Sequence, residues 1–152
     1  MEYKFELKDL PTRLTLAIHI RSSVQDLPQV LGEVYGAIMA YMEELGETPT
    51  GMPFVIYYNL DMEDLDIEAG FPVSKKLPDK DTIKASEISS GKFATAFHVG
   101  PYEKMEAVYN GLNQWINDNG YEPLGPAIEF YFNNPEEVGM ENAQTEIQLP
   151  LK

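Results

Sequence analysis

Gly125-Pro126-Ala127-Ile128-Glu129-Phe130-Tyr131-Phe132-Asn133 lines up with Gly51-Met52-Pro53-Phe54-Val55-Ile56-Tyr57-Tyr58-Asn59. A pattern met twice in a short chain marks a duplicated supersecondary unit. The match runs outward on both sides. Upstream, Ala17-Ile18-His19-Ile20 answers Ala96-Phe97-His98-Val99, and downstream Glu68-Ala69-Gly70-Phe71-Pro72-Val73 answers Glu146-Ile147-Gln148-Leu149-Pro150-Leu151. The offset changes from element to element, so the differences fall in loops.

Local pattern orders the elements within each copy. Leu14 to Ile20 alternates large apolar with small or polar residues, the period of a half-buried strand. Leu27, Val30, Leu31, Val34, Ile38, Met42 and Leu45 then recur at three and four, and Gly46 is a left-handed stop. In the second copy Gly100-Pro101 opens a helix striped by Met105, Val108, Tyr109, Leu112, Trp115 and Ile116, closed by Asn119-Gly120. Strands are predicted over 54–59, 65–71, 128–133 and 143–149, with an extra strand over 82–88 after a Lys- and Asp-rich connector. The expectation is one α+β domain over 1–152, a duplicated strand-helix-strand-strand unit with halves at about 3–73 and 82–151. A lone half cannot cover both faces of its sheet. The pair is therefore expected to form a mostly antiparallel sheet with two helices on one face and a ligand groove on the other.

Sorting side chains by the two-residue period gives the groove its candidates. The all-apolar set Ile128, Phe130 and Phe132 is assigned to the helix side, which sends Ala127, Glu129 and Tyr131 into the groove. Val55 and Tyr57 hold the matching positions in the first copy. Ala17, His19, Ala96 and His98 are read as facing away from the helices, so Ala96 joins the lining. Tyr102 and Tyr109 are read first as packing residues that have the groove rim as their alternative, and Tyr102 is counted with the candidate ligand-binding set. Trp115 is read as a core anchor, and His19 and His98 as repeated structural residues. Glu146 and Glu68 fall on the polar face, and Glu43-Glu44, Glu63-Asp64 and Glu136-Glu137 read as solubilising surface.

Composition narrows the chemistry. The 152 residues include 11 Lys and Arg against 25 Asp and Glu, a formal charge of −14, and 43% are hydrophobic. A folded protein with no Lys and Arg clusters is a poor match for a phosphate backbone or an anionic membrane, so direct nucleic-acid or membrane binding is not expected. The opening MEYKFELKDLP lacks the regions of a secretion signal, and the cytoplasm is the expected compartment. With no Cys and two His, neither a disulfide, a thiolate nucleophile nor a typical zinc site is expected, and no metal or cofactor is assigned. Aromatic rings beside a carboxylate favour a delocalised organic cation. At an effective dielectric near 20, such a pair about 4 Å apart gains up to roughly 4 kcal/mol before desolvation, leaving about one or two orders of magnitude in affinity.

The run His98-Val99-Gly100-Pro101-Tyr102, then Tyr109, Leu112, Trp115, Asn119-Gly120-Tyr121, Gly125 to Tyr131 and Asn134-Pro135, resembles the GyrI-like small-molecule-binding domain. That family includes effector-binding domains of multidrug-sensing regulators and DNA gyrase inhibitory proteins. The resemblance implies that Glu129 lies at the base of the groove and meets lipophilic cations and aromatic drugs among tyrosines, with Tyr131 and Tyr57 as partners. It implies a stand-alone cytoplasmic binder of hydrophobic, often cationic, aromatic molecules, since the repeat fills the chain. Some family members hydrolyse cyclopropane-containing genotoxins. That alternative makes Glu129 the catalytic base, assisted by Tyr131. A third reading is a protein-interaction role with gyrase as partner.

Overall fold

The computed structural model describes residues 4–133 and 135–152, with all side chains in them except those of Glu103, Pro135 and Glu136. Asn134 and the side chain of Glu136, both named above, lie outside this description. In chain order the elements are β1 (Phe5–Leu10), β2 (Arg13–Ser22), α1 (Leu27–Leu45), β3 (Phe54–Tyr57), β4 (Leu65–Pro72), β5 (Ile83–Ile88), β6 (Gly91–Val99), α2 (Met105–Asp118), β7 (Ala127–Tyr131), α3 (Pro135–Val138) and β8 (Gln144–Pro150). A short 3-10 turn, Tyr102–Lys104, leads into α2.

The chain divides into two compact units, Thr12–Ser89 and Met1–Pro11 with Ser90–Lys152. The first has the antiparallel strand order β3-β4-β2-β5 and carries α1; the second has β1-β6-β8-β7 and carries α2. The architecture is the expected duplicated α+β unit. The boundaries of its halves differ from 3–73 and 82–151, because β5 completes the first unit and β1 the second. β5 is the extra strand read from the sequence. β1 was missed: Phe-Glu-Leu-Lys-Asp-Leu is half charged, at Glu6, Lys8 and Asp9, the habit of an edge strand.

Each helix forms for the reason its sequence suggests. α1 places Val34, Ile38, Tyr41 and Met42 on its buried stripe, has proline in its first turn, and stops at Gly46 with φ 71°. α2 buries Met105, Val108, Leu112 and Ile116. These four pack with Ala94, Ala96, Ala127, Ile147, Leu149 and Leu151, while Trp115 leans on the same cluster as a half-buried anchor.

That cluster overturns the sorting of faces. Glu129 stands opposite Ile147 and Ile147 opposite Ala96 in the antiparallel register, so all three share one face. It is the face under α2, since Ala127, Ile147 and Ala96 pack on that helix. Ala127, Glu129 and Tyr131 therefore lie on the helix side, and Ile128, Phe130 and Phe132 on the other. Ala96 and His98 also lie beneath α2, contrary to expectation, whereas Ala17 and His19 do face away from α1. For Ala96 and His98 the cause is a one-residue slip in matching the repeats. Ala96, paired with Phe5 and Ile147, occupies the position of Ile18, paired with Ile83 and Ala69, and a slip of one exchanges the faces.

Candidate functional site

The site is a carboxyl group packed under a helix. Glu129 is 9% exposed in the middle of β7. Its neighbours along the face are Ala127, against the apolar cluster, and Tyr131, half-buried at the strand end. Tyr109 projects from the second turn of α2 and donates its hydroxyl to Glu129 Oε2 at 2.5 Å, and Tyr131 donates to Oε1 at 2.9 Å. Both donors are neutral phenols, so they solvate a negative charge without cancelling it.

Burial drives the Glu129 carboxyl above the ordinary carboxylate range, and the hydrogen bonds from Tyr109 and Tyr131, with the nearby His98 imidazole, oppose that rise. Desolvation favours the neutral acid, while hydroxyl donors favour the anion. Tyr102 completes the aromatic wall, its ring centroid 6.0 Å from that of Tyr131. Its own phenol is pushed up by burial first and by Glu129 second. At 38% exposure it borders solvent, whereas Tyr109 and Tyr131 are half-buried and Glu129 and His98 buried. His98 is fully buried, its Nε2 3.0 Å from the Pro101 carbonyl oxygen, and pairs across the sheet with Thr145, itself opposite Tyr131.

The structure thus brings together Glu129, Tyr131 and Tyr102, with Ala127 and Ala96 on the same face, and adds Tyr109 and His98. Val55 and Tyr57 belong to the Thr12–Ser89 unit, on the face under α1, opposite Ala69 and Ile67 respectively. Tyr109, read from sequence as a packing residue, is a direct partner of the carboxylate. A signal for it existed. Counted back from the terminal glycines, Tyr109 matches Tyr35, so a tyrosine recurs at this helical position in both copies.

The duplication supplies an internal control. In the first unit the position of Glu129 is Val55, fully buried, and the matched Tyr35 donates instead to the Phe54 carbonyl oxygen at 2.9 Å. The same strand and helix therefore close over an aliphatic side chain, and the fold does not require a carboxylate here. A buried carboxyl costs several kcal/mol, by order of magnitude, unless it is well partnered. Its presence in one copy alone points to a use other than packing. Among the described residues no group of three or more His, Asp or Glu side chains could hold a metal, and no helix is long and apolar enough to cross a membrane.

Solved structures of several proteins share this fold. The regulator EcmrR in a DNA complex superposes with TM-score 0.87 at 23% identity over 99% of this chain, which spans 57% of the EcmrR chain. Its isolated C-terminal domain gives TM-score 0.83 at 23% identity, covering 100% of this chain and 99% of that one. A structure described as a hydrolase from Listeria innocua gives 0.74 at 16% identity, covering 98% and 92%. SAV2435 bound to tetraphenylphosphonium gives 0.65 at 16% identity, covering 100% and 94%. No curated protein matches the chain. The model of the GyrI-like small molecule binding domain matches residues 3–152, and the chain belongs to that family.

Proposed function

We propose that this domain binds hydrophobic, often cationic, aromatic small molecules, with Glu129 as the charged contact and Tyr131, Tyr109 and Tyr102 as aromatic walls. The observation that carries this reading is the buried carboxylate held by two phenols in one copy of the repeat and replaced by valine in the other. A lipophilic cation brings the positive charge that a buried carboxylate lacks, and sheds little hydration on entry because its charge is spread over its rings. Tyr102, the exposed member, gives the group its border with solvent. The tetraphenylphosphonium complex of SAV2435 supports that choice of probe.

Titration with tetraphenylphosphonium and with neutral triphenylphosphine oxide tests the proposal. Saturable binding is expected for both, with the cation favoured about tenfold or more, the worth of one partly desolvated charge pair. Equal affinities would remove the carboxylate from recognition.

One observation favours a catalytic role for the same group. A carboxyl raised above the ordinary carboxylate range by burial and flanked by hydroxyls is suited to proton transfer. Glu129 would take a proton from water as its oxygen attacks a strained cyclopropane carbon. The ring bond breaks, its electron pair passes to the conjugated acceptor of the substrate, and the proton held by Glu129 is delivered to that acceptor, which restores the carboxylate and completes the addition of one water. Mass spectrometry of a cyclopropane-bearing alkylator incubated with the protein should then show addition of one water. Tight binding without turnover across several such compounds leaves the passive binder.

A further inference from the structure

A pocket lies in the Thr12–Ser89 unit, built from residues that the Glu129 group does not use. It is a cavity of about 380 Å³ between α1 and the turn before β5, lined by Ile18, Ala37, Ala40, Tyr41 and Ile83 and edged by Glu44, Lys80, Asp81 and Thr82. The duplication explains why space is left there. In the other unit Phe5 takes the register position of Ile83, since Phe5 pairs with Ala96 as Ile83 pairs with Ile18. Its ring fills the corresponding place, with its tip 3.0 Å from where a Cβ on Gly111 would stand and its centroid 6.5 Å from that of Trp115. Counted from the glycine stops, Gly111 and Trp115 correspond to Ala37 and Tyr41. Where one unit supplies its own phenyl ring, the other has an isoleucine and a cavity.

The walls are held in place. Lys80 and Ile83 exchange backbone hydrogen bonds of 2.9 and 2.8 Å around a tight turn at Asp81, whose φ of 53° is in the left-handed region that aspartate tolerates. Tyr41 donates its hydroxyl to the Pro78 carbonyl oxygen at 2.8 Å, and Lys80 reaches back to Glu44 at 2.8 Å with its ammonium 5.2 Å from the Tyr41 ring centroid. The mouth thus presents two carboxylates, Glu44 and Asp81, to one ammonium, and an aromatic face already engaged by a cation.

We infer that this pocket is a separate binding site for an arylalkylamine, its phenyl ring taking the place that Phe5 fills in the sister unit and its ammonium joining Glu44 and Asp81 at the mouth. A cavity of roughly 150 Å³ lined by aliphatic side chains already admits benzene, so one ring fits with room for a short alkyl arm. The site needs nothing from Glu129.

Phenethylamine is the probe, followed by amide chemical shifts in the full-length protein. Shifts are expected at Ala37, Ala40 and Ile83, they should persist when tetraphenylphosphonium saturates the protein, and benzyl alcohol should bind more weakly. Ile83→Phe, which rebuilds the sister unit's filling, should cost phenethylamine at least tenfold in affinity and raise the melting temperature, with tetraphenylphosphonium binding unchanged. Glu44→Gln, a surface change that keeps the fold, should weaken phenethylamine about threefold. Shifts confined to residues around Glu129, or displacement by tetraphenylphosphonium, overturn the inference. So does undiminished binding in both variants.

Discussion

Glu129→Gln is expected to lose tetraphenylphosphonium affinity by about tenfold to a hundredfold at a pH where the wild-type carboxyl is ionised, one carboxylate–cation contact in a partly desolvated setting. The variant should also lose the pH dependence of binding. In the free protein, burial favours the neutral acid of Glu129, so its pKa stands above the ordinary carboxylate range. A cation pairs with the anion only. Affinity for the wild type should therefore climb by up to about tenfold per pH unit below that raised value and level off above it, whereas the glutamine variant stays flat. Stability follows the opposite sign. A carboxyl whose folded pKa is raised makes its contribution at low pH, and that contribution is lost as pH rises through the folded value. Thermal unfolding followed across pH should show the wild type declining from the ordinary carboxylate range up to the raised value and levelling off above it, with Glu129→Gln declining less. A parallel fall in both proteins removes Glu129 as the cause.

The largest stability effect is expected at Gly70 rather than in the binding group. Gly70 of β4 faces Ala17 of β2, and a Cβ built on it would stand 2.1 Å from the Leu16 carbonyl oxygen and 2.7 Å from Ala17 Cα. Both are backbone atoms in a central strand pair, so neither can swing aside as a side-chain end would. Gly70→Ala must push β2 and β4 apart, at a cost of about 3 kcal/mol or more. For a chain of this size that lowers the melting temperature by roughly 10 °C, against a total stability of about 5–15 kcal/mol. By contrast Gly36→Ala, where a Cβ meets nothing within 4 Å, should be neutral or stabilising, since alanine is the better helix former. Differential scanning calorimetry of both variants checks the pair, and similar melting temperatures would contradict the close approach.

The two expectations show what kind of information the sequence carries. Helices were legible because Val34, Ile38 and Met42, or Val108, Leu112 and Ile116, repeat with a period that admits one folded reading. The duplication was legible because the stretch after each helix opens on glycine and proline and runs through tyrosine to asparagine, at Asn59 and Asn133. Faces were not. The strand at 128–133 has large apolar residues on one side and a mixed set on the other, and greasiness alone assigned the wrong side to the helix. The register with Ile147 and Ala96 decides that question, and register depends on residues distant in the chain. The contrast between Glu129 and Val55 was legible all the same, because it does not depend on which face is which. Tyr109 was passed over for a physical reason too: on an amphipathic helix a tyrosine beside valine and leucine reads as packing, and only the position of its hydroxyl shows it serving a carboxylate.

The central claim is that a lipophilic cation is received by the ionised Glu129. Its most direct measurement is isothermal titration of tetraphenylphosphonium into the protein in two buffers of different ionisation enthalpy, at a pH below the raised pKa of the carboxyl. Release of up to one proton per ligand bound, absent in Glu129→Gln, is the predicted result. Binding with no proton release and with the same affinity in the variant would contradict it.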